Sequence, residues 1–285
     1  MLLNQKAKQA VYFSLFRAAA IFSVLILLFV LMFIMKEGAG IISIKFLTSM
    51  WSHMDITQGG ILPAIIGTLL LGIGVAVVSV PIGICTAIYL NEYAKDNLFT
   101  RIIKLAIRNL AGVPSVVYGL FGIAVFVLLL NLNTSLVAAS LTLSCMTLPW
   151  IITTSEEALK TVPLSFREGS YALGATKWQT IRRNVLPHSL SGMMTGAILG
   201  VSRAMGETAP IIMVGATFFM SYLPTSVFDK FMALPYHLYI LATQHSSPYA
   251  HEYALGTALV LIIMVFMLNL IAFIIRYRLR KKKDW

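Results

Sequence analysis

The stretch EEALKTVPLSFREGSYALGATKWQTIRRNVLPH, residues 156–188, is the longest polar connection between two long uncharged runs of this chain. Pro163 ends the helix that arrives from the N-terminal side, because a proline supplies no N–H for the next backbone bond. Two helix-start signatures follow. In Ser165-Phe166-Arg167-Glu168 the serine is read as a cap and Glu168 as the side chain reaching back to it. Thr176-Lys177-Trp178-Gln179 repeats the pattern, with Gln179 in the returning role. Gly174 between them suits the left-handed residue that closes a helix. Leu186-Pro187 is read as a second break, where the chain turns back into the next apolar run. The expectation is a short helix, a sharp glycine turn and a second helix. Spacing alone leaves a plain hairpin and a docking element equally open.

Outward from this segment the chain is strongly apolar. Its 285 residues are 58% hydrophobic and 12% charged, with a mean hydropathy of +0.84. Soluble domains average about 45–50% apolar and about 25% charged, so lipid must be part of the solvent. A helix needs about 20 apolar residues to cross the hydrocarbon core. Uncharged stretches of that kind lie near 18–35, 63–90, 113–131, 135–154, 190–220 and 254–275. The third and fourth share one charge-free stretch, and Asn131-Leu132-Asn133-Thr134 is the natural place to turn it. Six membrane-spanning helices and an all-α fold are therefore expected. The first run is too long for the apolar core of a signal peptide and has no small-residue cleavage site after it, so it reads as a retained anchor.

Basic residues orient the chain. With the N-terminus inside, 18 of the lysines and arginines fall on the inner side and three (Lys36, Lys45, Lys230) on the outer side. Inner-side Lys and Arg excess is the established orientation signal, so both termini and the 156–188 segment are expected in the cytoplasm. The net charge of +11 is spent in these short clusters, which argues against a nucleic-acid partner. Arg101, Lys104 and Arg108 alternate with Leu98, Phe99, Ile102, Ile103 and Leu105, the pattern of a short amphipathic helix on the inner membrane surface. The expected organisation is an anchor helix and outer connection over 1–62, a transport body over 63–275, and a basic tail over 276–285.

The fifth run carries the candidate pathway. Arg203 and Glu207 stand four apart in an otherwise uncharged stretch, and an Arg at the centre of a membrane helix costs about 2.5–3.5 kcal/mol on insertion scales. Counting from Leu190, Arg203 lies roughly 20 Å along the helix. Gly192, Gly196, Gly200 and Ala204 recur every fourth residue, a seam that lets another helix approach closely. The charged pair flanks this seam, and Ala209-Pro210 frees a backbone carbonyl just beyond it. Either the pair neutralises itself and braces an interface, or Arg203 offers its planar fork to an oxyanion while Glu207 orients it.

Two motifs resemble a known family. Glu168, Gly174, Leu186 and Pro187 are similar to the cytoplasmic loop of ATP-driven (ABC-type) importer permeases, which docks onto an ATPase subunit. The resemblance implies that role for Ser165, Phe166, Arg167, Glu168, Tyr171, Ala172, Gly174 and Ala175. The sequence departs from the pattern at Gly169, Ser170 and Asn184. Arg203-Ala204-Met205-Gly206-Glu207-Thr208-Ala209-Pro210 resembles the signature of phosphate importer permeases of the PstA type. So do residues 110–120, LAGVPSVVYGL, and Tyr89-Leu90-Asn91-Glu92-Tyr93. The resemblance implies the type I ABC importer permease fold in the inner membrane. It implies a heterodimer with a second, homologous permease subunit, two ATPase subunits inside and a phosphate-binding protein outside. It also implies Arg203, Glu207 and Thr208 along the solute pathway.

No P-loop, hydrolase elbow or zinc-protease motif occurs, so no cofactor, metal or catalytic residue is expected and ATP hydrolysis belongs to partner subunits. Cys85 and Cys145 lie in apolar runs and read as packing residues. His245, His251 and Glu252 read as a solvated outer loop. A permease for another oxyanion and a secondary transporter remain the alternatives. The second gives no reason for the elaborate 156–188 segment.

Overall fold

The computed structural model describes residues 2–52, 55–218 and 220–281, and these contain helices and no β-strand. In order they are α1 (Leu2–Gly38), α2 (Ile44–Thr48), α3 (Leu62–Ile88), α4 (Leu98–Leu110), α5 (Ser115–Gly122) and α6 (Leu136–Lys160). Then come α7 (Leu164–Ala172), α8 (Lys177–Thr180), α9 (Leu186–Met205), α10 (Ala209–Val214), α11 (Leu234–Thr243) and α12 (Ala250–Lys281). Wider π-turns over Tyr89–Tyr93, Ile123–Leu129 and Ile181–Val185 extend α3, extend α5, and join α8 to α9. Lys282 and Lys283 of the basic tail lie outside the described residues.

The long, uniformly apolar helices form for the reason the composition suggests: each closes its own backbone hydrogen bonds, the requirement lipid imposes. Four are long and apolar enough to cross a membrane, within Gln5–Ile41, Leu62–Tyr93, Leu136–Lys160 and Ala250–Arg278. A fifth candidate is the pair Leu98–Leu110 and Ser115–Leu129, which passes the same test only when taken together and is bent by 102°. The bend sits at Gly112-Val113-Pro114, where proline precludes a continuous helix and sends the basic α4 off at an angle. The turn between the third and fourth runs falls at Asn131 and Asn133, both left-handed (φ 57° and 53°), a conformation asparagine tolerates better than most residues.

The centre is a three-helix packing of α3, α6 and α9. Leu71, Val75, Leu143, Ala204, Ile211 and Phe231 form its mid-level core. Towards one end, Phe46, Trp51, Ile61, Met232, Leu234 and Ala254 bind α2 and α11 to α12. Towards the other, Ala87, Leu90, Leu159, Val185 and Met193 pack with Ile103 and Ile107 of α4. α1 lies along α12.

Three local expectations are corrected. First, the fifth run, 190–220, is not one helix. α9 stops at Met205, α10 runs only to Val214, and Ala216 then pairs in a single bridge with Phe231. Second, Leu186-Pro187 is no break: helix continues from Lys177 to Met205. The π-turn just before Pro187 loosens the ladder where the proline has no N–H to give. Third, Ser165 caps nothing. α7 begins two residues sooner, with Pro163 as its N-cap (ψ 145°). The Pro163 carbonyl already accepts from the Phe166 N–H at 3.2 Å. The other capping box, Thr176 with Gln179, forms with both of its hydrogen bonds.

Candidate functional site

Arg203 occupies the last turn of α9, where a cation complements the negative end of the helix dipole. Gly206 closes that turn: its N–H donates to the Arg203 carbonyl at 3.0 Å, and the Glu207 N–H donates to the Ala204 carbonyl at 3.2 Å. Thr208 is the N-cap of α10, and Pro210 sits in that helix's first turn, where its missing N–H leaves no gap in the ladder. The break therefore comes before the proline, between the two charges. Arg203 and Glu207 straddle it instead of sharing a continuous helix face.

Their contact is loose. Arg203 Nε lies 3.8 Å from Glu207 Oε1, with the arginine side chain 66% exposed and the glutamate 19%. An ion pair this open contributes about 0–1 kcal/mol, too little to account for placing two charges in an apolar run. Among the described residues no other partner holds the guanidinium. Arg203, Glu207 and Thr208 line one recess of about 780 Å³ together with Ser202, Gly206, Asn269 and Phe266. Ser202 Oγ donates to Asn269 Oδ1 at 2.9 Å, tying α9 to α12. Asn269 is a further polar residue that sequence reading passed over. Its signal was an amide inside a charge-free run of α12, with nothing local to say which way it faces.

The small-residue seam faces α6. A Cβ on Gly192 would come 2.8 Å from the Ala158 Cβ, one on Gly200 3.1 Å from Trp150 Cδ1, and one on Gly196 would collide with Thr154. Ala204 is fully buried in the mid-level core. Contacts to 158, 154 and 150 in descending order are those of two antiparallel helices in close register.

The 156–188 segment forms a compact unit at the far end of α9. Gly174 is left-handed (φ +78°). The Ala175 N–H donates to the Ser170 carbonyl at 3.2 Å, and the Gly174 N–H to the Tyr171 carbonyl at 2.9 Å. These are the two bonds of a Schellman closure. Ser170, one of the departures from the family pattern, is buried and shares a 2.9 Å hydrogen bond with the Thr180 hydroxyl, linking α7 to α8. Gly169, another, faces open space. Leu164, Phe166, Tyr171, Leu173 and Trp178 are exposed apolar side chains of this unit, and Ser165, Glu168 and Ala172 are exposed beside them. Arg167 points the other way, into the protein.

A family model described as binding-protein-dependent transport system inner membrane component matches residues 79–285. This chain belongs to that family. Among its relatives, the phosphate transport system permease protein PstA 1 of Mycobacterium tuberculosis is 37% identical over 238 residues, covering 80% of this chain and 76% of that protein. The PstA permease of Yersinia pestis is 32% identical over 274 residues, covering 95% and 90%. In fold, the chain is similar to the MetNI methionine ABC transporter in its inward-facing form (TM-score 0.61, 19% identity, 77% of this chain and 94% of that one). The protein is thus a multi-pass inner-membrane permease subunit of an ABC importer, with the type I importer permease fold. Such permeases work with a second permease, an ATPase and a binding protein. The recess at the α9 break and the 156–188 unit lie at opposite ends of one helix of this permease, α9 with its α8 extension.

Proposed function

We propose that this permease carries inorganic phosphate. It would form the translocation pathway with a second, homologous permease subunit, receive solute from an extracytoplasmic phosphate-binding protein, and dock two ATPase subunits through residues 164–175. The carrying observation is an exposed guanidinium beside Glu207, Thr208, Ser202 and Asn269 at a helix break in an apolar run. A planar fork with few competing partners suits an oxyanion, and the relatives' names support phosphate among oxyanions. On this reading residues 63–275 form the transport body, preceded by the anchor region 1–62 and followed by the basic tail. The test is uptake by the complete importer in vesicles. ATP-dependent accumulation of phosphate but not sulfate or molybdate is expected, and preference for either of the others would overturn the solute assignment.

The proposal includes six crossings with both termini cytoplasmic, α9 with α10 serving as the broken fifth. The charge distribution supports it. In a chain with Cys85→Ala and Cys145→Ala, an impermeant maleimide should reach Lys177→Cys in inverted vesicles and not in intact cells. Labelling from outside would sink this orientation.

A further inference from the structure

Glu92 and Arg167 are 75 residues apart, yet Arg167 Nη2 meets Glu92 Oε1 at 2.8 Å, with the side chains only 6% and 15% exposed. Each partner is held by its own surroundings. Asn91 Nδ2 donates to the same Glu92 oxygen at 2.8 Å. Arg167 also donates to the carbonyls of Val162 (2.7 Å) and Leu159 (3.2 Å), where α6 runs out and its last carbonyls want donors. The next residue of the same π-turn, Tyr93, has the Lys177 ammonium 5.0 Å from its ring centroid. One end of α3 therefore grips both arms of the 156–188 unit, α7 through Glu92 and α8 through Tyr93.

The rest of α3 leads to the helix break at the end of α9. At Gly72, an added Cβ would lie 2.5 Å from the Met205 sulfur, and Met205 is the last residue of α9 before the break. A shift of the 156–188 unit can thus reach the break by two routes. α8 and α9 carry it within one helix, and α3 carries it through a buried ion pair.

We infer that Glu92 and Arg167 are positioning residues that lock α3 to the docking unit, so that α3 and α9, which meet at Gly72 and Met205 beside the break, move together when the ATPase moves. A purely cementing pair would need no partner on α3, since the α6 carbonyls alone could seat Arg167. This inference rests on the docking role proposed above.

The experiment uses the complete importer reconstituted in vesicles, reading ATPase co-purification, ATP hydrolysis and phosphate uptake separately. Glu92→Gln keeps size and an acceptor while removing the charge, and Arg167→Gln removes the cation. Glu92→Gln, which lies outside the docking segment, should leave the ATPase bound and hydrolysing while uptake per ATP falls about tenfold or more; Arg167→Gln should lower uptake per ATP as far in the importers that retain the ATPase. The double variant should be no worse than the worse single one, as expected for residues acting as a unit. Normal uptake per ATP in either single variant would overturn the inference, as would effects that multiply in the double. Full ATPase binding by a chain carrying Phe166→Ala and Leu173→Ala, exposed apolar side chains of the segment, would instead defeat the docking reading. Should a single variant fail to assemble, Glu92→Cys with Arg167→Cys, joined by a short thiol cross-linker in the cysteine-free chain, decides. Recovery of uptake on bridging supports the lock, and continued failure overturns it.

Discussion

Arg203→Gln in the assembled importer is expected to lower phosphate uptake roughly ten- to a hundredfold, the loss of one charge-assisted hydrogen bond to the passing anion. The alternative, that Arg203 only braces Glu207, predicts much less. At 3.8 Å and with the arginine 66% exposed, the pair contributes about 0–1 kcal/mol, and its loss would slow uptake no more than about fivefold. The double replacement Arg203→Gln with Glu207→Gln separates the two further. If the pair is a brace, the double variant leaves no unpaired charge and should regain uptake. If Arg203 meets the anion, the double variant fails as the single one does. Initial rates of phosphate entry into vesicles decide the matter, and rescue by the double variant would retire the pathway role.

Gly174→Val should uncouple ATP hydrolysis from uptake without removing the protein from the membrane. The residue stands at φ +78°, and nothing lies within 4 Å of where a Cβ would be. Space is therefore not the constraint; backbone handedness is. A non-glycine residue in the left-handed region costs about 1–2 kcal/mol, and a β-branched one is disfavoured further. Relief of that strain would undo the Schellman closure that sets the angle between α7 and α8. Gly174→Asn is the control, since asparagine tolerates the same conformation and should retain most uptake. A valine variant that binds the ATPase and transports at the parental rate would show that the turn's geometry is irrelevant to coupling.

Much of the fold was legible in the sequence because the signals were local. The Thr176–Gln179 box, the left-handed Gly174 and the Asn131–Asn133 turn each depend on hydrogen bonds or dihedrals within a few residues. Apolar run length marked the long helices for the same reason, since a helix in lipid must satisfy its own backbone. The charged pair at 203 and 207 announced itself by being costly where it stood, and the resemblance to importer permeases rested on contiguous motifs.

Where two local preferences competed, the surroundings chose. Ser165 lost its cap because Pro163 started α7 earlier and Arg167 was drawn inward to Glu92 and the ends of α6. Pro187 looked like a stop, but a π-turn absorbed it and left α9 joined to the 156–188 unit. The break at Gly206, read as a continuous helix, places Arg203 and Glu207 on either side of a bend. The partners that complete both sites, Asn269 for Ser202 and Glu92 for Arg167, lie 67 and 75 residues away. Sequence by itself marked the long apolar helices, the Thr176–Gln179 box, the turn at Gly174 and the costly charges at 203 and 207. Only the tertiary structure decided which of those residues meet, because a contact across so many residues depends on how α3, α9 and α12 pack, and no window of local chemistry contains that information.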